Sequence, residues 1–243
     1  MFPLYRKDLR EWLQAAGLGQ NRERLGRYSV LIGLLVVGVL FPLTQPAPVA
    51  GGVMVAAAAF FASLSLNAAI ADAFAGEKER GTLSALLISP LSDLEIVGAK
   101  LLAGLSYALL QTAAMLLVGS AVLLLTGKAA PPAWAYALSL AATLLLGGFF
   151  ASLEAWVAIG AESMRQALSL VSLPFTLVTL ALAFGIPALL RQLSPAQRAA
   201  LLAWISRLSP GDWAAALAAA LLLADLLILL AAVRRLSRLR LES

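Results

Sequence analysis

An all-α protein that crosses a lipid bilayer several times is the fold class this sequence predicts, and composition, apolar run length and charge placement carry that reading. Of 243 residues, 61% are apolar and only 13% are charged, against roughly 45–50% and 25% in an average soluble domain. With a mean hydropathy of +0.90, the apolar surface exceeds what one core of this size can hide. Histidine and cysteine are both absent. That excludes disulfides, thiolate or imidazole metal sites, a cysteine nucleophile and any Ser-His triad. No catalytic residue, metal or cofactor is expected.

The chain opens with an amphipathic stretch. Leu9, Trp12, Leu13 and Ala16 recur at helical spacing, while Arg6, Lys7, Arg10 and Glu11 lie mostly off that stripe. This pattern predicts an interfacial helix lying flat on the inner leaflet. Gly17 and Gly19 are placed to end it, and Asn21 to Arg27 read as a polar elbow, so residues 1–27 form one cytoplasmic unit.

A hydrocarbon core about 30 Å thick needs roughly 20 apolar residues in a helix. Six runs qualify, at about 28–44, 49–74, 100–126, 134–159, 168–190 and 213–233. The first is the weakest, since its strictly apolar part, 30–43, is short enough for a signal-peptide core or an interfacial segment. Its place behind an amphipathic helix argues against cleavage. Gly51-Gly52, Pro131-Pro132 and Ser209-Pro210-Gly211-Asp212 are read as loop punctuation. Residues 28–233 thus make a six-helix membrane domain, followed by a basic tail, 234–243.

With six spans, both termini, the 75–99 loop and the 160–167 loop share a side. Fourteen of the 18 lysines and arginines fall there, leaving Lys128, Arg191, Arg198 and Arg207 opposite. The bias places both termini in the cytoplasm of a multi-pass protein of the cell (inner) membrane. It also accounts for the net charge of +5 through anionic headgroups, without nucleic acid.

The most informative stretch is the loop Glu77-Lys78-Glu79-Arg80-Gly81-Thr82-Leu83-Ser84-Ala85-Leu86-Leu87-Ile88-Ser89-Pro90. Alternating charges leave the membrane, Gly81 breaks the helix, and Thr82 stands ready to N-cap a short one that Pro90 stops. Leu83, Leu86 and Leu87 make a ridge too small to be stable alone, so it is expected to lie on the bilayer or in the groove of another protein. Ser92 and Glu95 then have capping-box spacing for the helix leading past Gly98 and Lys100 into the third span.

This loop resembles the signature of permease subunits of the type-2 ABC exporters. There a Glu-rich exit from the second span precedes Gly-Thr-Leu, a short leucine helix, Ser-Pro, and a helix leading to a lysine. Glu77, Glu79, Gly81, Thr82, Leu83, Leu87, Ser89, Pro90 and Lys100 match. Ala99 replaces the usual glycine before that lysine, with Gly98 one residue early. The haem-exporter B subunit of cytochrome c maturation shares much of the pattern, including the Phe-Pro seen here as Phe41-Pro42. The resemblance implies a subunit that does not hydrolyse ATP, and no G-x-x-x-x-G-K-[ST] loop occurs. It further implies a separate cytosolic ATPase docking on the loop, with Leu86 included in the contact, and a second permease subunit, most simply a second copy.

Ser194-Pro195-Ala196-Gln197 has the form of a helix start. Leu201, Leu202, Ile205 and Leu208 would give the outer helix that follows an apolar face, as an interfacial anchor or a re-entrant element. Two acids lie within spans, Glu154 and Asp225, while Asp72 sits at a span end within reach of water. An intramembrane carboxylate is costly and marks a candidate for transport or helix packing. Glu154 is near enough to the cytoplasm to snorkel, and either acid could be protonated or paired with a group such as Asn67. A Ser-Lys membrane hydrolase is the rival enzyme class, but it needs a lysine desolvated deep in a span, and none is placed there. A six-span assembly factor that transports nothing is a third class.

Overall fold

The computed structural model describes residues 1–17, 30–180, 192–197 and 210–242. All regular structure there is helical: α1 (Phe2–Gly17), α2 (Val30–Thr44), α3 (Ala47–Glu79), α4 (Leu83–Leu87), α5 (Asp93–Leu125), α6 (Ala133–Gly160), α7 (Met164–Leu180) and α8 (Pro210–Glu242). Among the described residues, four helices are long and apolar enough to cross a membrane: α3, α5, α6 and the Ala215–Leu241 part of α8. The expected first span is the shorter α2. The expected fifth begins as α7, but 181–190 lie outside the described residues, as do the elbow at 21–27 and the outer helix beyond Gln197.

Helix α2 is wound as a π-helix over Leu34–Leu40 and returns to α geometry at Phe41. Pro42 explains this, because it has no N–H to give the Gly38 carbonyl and its ring crowds that carbonyl, so a wider turn relieves the clash. Beyond the helix end, Lys128 donates to the carbonyls of Pro42 (2.6 Å), Leu43 (3.1 Å) and Gln45 (2.9 Å). A cation at the negative end of a helix dipole satisfies acceptors that water would otherwise take.

Helix α3 corrects one expectation. Gly51-Gly52 lie inside it, not in a loop, because Pro46 and Pro48 already start the helix upstream. Gly51 instead admits the loop between α5 and α6, since a Cβ there would meet the Pro131 ring at 3.0 Å.

The core forms where α3, α5 and α6 meet, and it is lined by small and hydroxyl side chains. Ala58, Ala59, Ala62 and Ser63 of α3 are buried with Ala151, Ala155 and Ala158 of α6. Small residues let backbones approach closely where lipid offers no hydrophobic drive between helices. A ladder of hydroxyls crosses this contact. Thr112 bonds Thr143 (2.9 Å), Thr143 donates to the Ser139 carbonyl (2.9 Å), and Ser139 donates to the Val55 carbonyl (2.9 Å). Val55 lies by Ser139 and Ser63 by Gly147, while Thr112 lies by Thr143 and Leu105 by Gly147, so α3 runs parallel to α6 and α5 antiparallel to both.

Candidate functional site

The loop between α3 and α5 begins at a looser helix end. Over Asp72–Gly76, α3 is π-wound, and Gly76 leaves room for the Asp72 carboxylate to fold back over it, where any Cβ would overlap. Asp72 then pairs with Arg80 at 2.7 Å, so it is an ion-pair partner as well as a group in reach of water. Gly81, at φ +69°, ends the helix as expected. Its N–H bonds the Lys78 carbonyl (3.0 Å) and the Thr82 N–H bonds the Glu77 carbonyl (2.9 Å), the double closure of a Schellman turn that a Cβ at Gly81 would strain.

Four consecutive charged residues point in four directions, because each step along a helix turns about 100°. Glu77 faces inward and meets Lys100 of α5 at 3.2 Å and Lys7 of α1 at 3.6 Å. Lys78 donates to the Ala161 carbonyl at the end of α6 (3.2 Å). Glu79 accepts from the Met164 N–H at the start of α7 (2.9 Å), and Arg80 closes back on Asp72. The cation at a helix C-terminus and the anion at an N-terminus both match the helix dipoles. From α8, Arg240 reaches Asp93 (3.1 Å) and the Leu91 carbonyl (2.9 Å).

Lys100 lies at the centre of this end. It is fully buried, donates to the Ala73 carbonyl in the π turn at 2.8 Å, and pairs with Asp8 at 3.6 Å besides Glu77. The Phe74 ring lies 5.3 Å from its ammonium. Among the described residues, the polar groups around it are two carboxylates and a carbonyl, not the serine that a Ser-Lys pair requires. Asp8 is the residue that pattern reading missed. It sits on the inward face of α1 with Tyr5 and Trp12, and Trp12 packs edge-on against Tyr107. Tyr5 bonds Ser106 (3.2 Å). Helix α1 therefore spends this face on α5 and leaves Leu13 exposed, whereas the sequence placed Trp12 and Leu13 together on the bilayer. The available signal was an acid inside an otherwise apolar stripe. Burial is the chief influence on the Asp8 carboxyl and raises its pKa, which Lys100 opposes and Glu77 reinforces.

In α4 the leucine ridge faces the protein. Leu83 and Leu87 are buried in the same core as Phe74, Ile96 and Val97, and Leu86 packs partly against it. Thr82 occupies the N-cap position, but its hydroxyl donates back to the Glu77 carbonyl (3.2 Å) instead of capping. Outward stand Thr82, Ser84, Ala85, Pro90 and above all Ile88, 84% exposed. Ser89 is half-buried and bonds the Leu86 carbonyl (2.6 Å). The Ser92–Glu95 capping box is present as expected, with Ser92 N–H to Glu95 at 2.9 Å and Glu95 N–H to Ser92 at 3.3 Å. The second capping box also forms, with Ser194 N–H to Gln197 at 2.9 Å and Gln197 N–H to Ser194 at 3.3 Å.

The intramembrane polar residues stand apart from this cluster. Glu154 is fully buried and does not snorkel, and neither of its oxygens has a hydrogen-bond partner among the described residues. Asn67 and Asp225 each keep one unpartnered buried oxygen, and no bond between Asn67 and either acid is present among the described residues. Asp225 instead lies against α6 at Gly148, where an added Cβ would sit 3.2 Å from its carboxylate.

A bundle of long apolar helices whose ends are tied at one side by a charged loop defines a multi-pass membrane protein. Residues 44–232 match the ABC-2 family transporter proteins, and the chain belongs to that family. It is a transporter membrane subunit, and membership implies that ATP hydrolysis resides in a partner. No curated relative matches the sequence.

Proposed function

We propose that this chain is the permease half of an ATP-driven exporter, with six spans and both termini in the cytoplasm, coupled through residues 77–90 to a separate cytosolic ATPase and paired with a second copy of itself. One observation carries the reading. The loop is bonded residue by residue to α1, to α5 and to the ends of α6 and α7 through Glu77, Lys78 and Glu79, while its tip presents an exposed isoleucine. Buried Leu83 and Leu87 root α4 in the bundle, so displacement of α4 by a docked partner would carry the helix ends with it. Ile88, Ser84 and Ala85 form the contact face, and Leu83, Leu86 and Leu87 act as its foundation.

The test is Ile88→Asp with Ser84→Asp, measured as affinity for the partner ATPase and as stimulation of its turnover. A buried apolar anchor in a small interface commonly carries more than about 1.4 kcal/mol, a tenfold loss. Membrane insertion should stay at wild-type level, because both side chains are exposed. Unchanged affinity would show that the partner docks elsewhere.

A further inference from the structure

A groove of about 600 Å³ runs between α6 and α8 on the bundle's outer surface. Trp156, Leu227 and Leu230 line one part, and Arg234, Arg235 and Arg238 line the other, with no acid among the lining residues. From Leu227 to Arg238 is about 16 Å of helix, so the groove passes from the apolar part of α8 to the membrane boundary. Arg235 is held in place. It donates to the Trp156 carbonyl (2.9 Å) and its guanidinium lies 5.4 Å from the Trp156 ring centre. Gly160 makes this possible, since any Cβ would overlap the guanidinium. Arg234 and Arg238 are exposed and lie one turn apart, where like charges repel unless an anion intervenes.

We infer that this groove binds an anionic phospholipid, with the phosphate between Arg234, Arg235 and Arg238 and an acyl chain along Leu227, Leu230 and the Trp156 ring. Apolar wall, boundary tryptophan and arginine cluster follow one another in the order in which a lipid presents chain, glycerol and phosphate. Charge complementarity selects an anionic headgroup over a zwitterionic one. The inference needs only that the chain is embedded in a membrane and is independent of how an ATPase docks.

The full chain is placed in phosphatidylcholine bilayers containing a minor fraction of phosphatidylglycerol, with bromine on the acyl chains of one lipid or the other. Quenching lost in a Trp156→Phe variant reports lipid in the groove. At equal mole fraction, brominated phosphatidylglycerol should quench Trp156 several-fold more than brominated phosphatidylcholine. Arg234→Gln with Arg238→Gln should abolish that preference, since each base near an anionic surface contributes roughly one kcal/mol, about fivefold in affinity. Arg6→Gln with Arg10→Gln on α1 removes the same charge elsewhere and should leave it intact. Equal quenching by both lipids, persistence of the preference in the α8 variant, or an equal loss in the α1 variant would each overturn the site.

Discussion

Helices α6 and α8 are both long and apolar, yet 39% of the most apolar stretch of α6 is buried within the chain and only 6% of that of α8. The buried helix is the one with Ser139, Thr143, Gly147, Ala151 and Ala155 on its inner face, whereas α8 exposes Leu217, Leu222, Leu223, Leu226 and Leu227. In water the greasier helix would be the inner one. In lipid a leucine gains nothing by leaving the acyl chains for a protein neighbour, so close packing and interhelical hydrogen bonds choose the inner helices. Hydropathy therefore reports contact with the bilayer, and small or hydroxyl residues report contact with other helices.

The largest expected effect lies on the core side of this comparison. Lys100→Met leaves Glu77 and Asp8 buried without their shared cation, at a cost of about 3–5 kcal/mol. Thermal unfolding of the solubilised protein should show it, and adding Asp8→Asn and Glu77→Gln should restore much of the loss. A variant as stable as wild type would mean that the cluster contributes nothing.

Next comes a direct contrast of the two helices. A Cβ at Gly147 would meet Leu66 at 3.1 Å and Leu105 at 3.3 Å, so Gly147→Leu should destabilise by about 1–3 kcal/mol. Leu223→Ala on the exposed face of α8 should stay within about 0.5 kcal/mol. Equal losses in the same unfolding assay would erase the distinction.

Asp225 sharpens the comparison at the contact between the two helices. Beside Gly148, a neutral packing role predicts near-normal transport and assembly for Asp225→Asn, and a loss of roughly 0.6 to 1.7 kcal/mol in helix association for Asp225→Leu. An assembled but inactive Asn variant would show instead that ionisation is needed for transport.

The smallest effect is a pH trend in the docking of α1. Because the folded-state pKa of Asp8 is raised by burial, the folded chain holds a proton that the unfolded chain has released at the same pH. The resulting stabilisation is complete below the unfolded value and is lost as pH rises through the raised one. Protease cleavage within α1 should therefore slow on acidification from neutral pH. Asp8→Asn should flatten the trend, and an unchanged slope in that variant would assign it to another group.

Much of this architecture was legible along the chain. Apolar run length marked the four helices long enough to span, Ser92–Glu95 and Ser194–Gln197 marked helix starts, and Gly81 marked a break, because each depends on a short local segment. The motif Glu77 to Pro90 located the candidate site for the same reason. What the sequence could not reveal were the directions of its side chains. An isolated short helix with three leucines has no reason to face inward, and only the proximity of Phe74, Ile96 and Val97 turns Leu83 and Leu87 into the core and leaves Ile88 outside. Lys100 shows the same division. Its position after a capped helix follows from local spacing, but its burial depends on Asp8, 92 residues earlier, and on a carbonyl opened by a π turn in α3. Local geometry and transfer free energy are properties of short segments and can be read from them. Pairing of charges in a low-dielectric interior is a property of position in space, and only the packed bundle decides it.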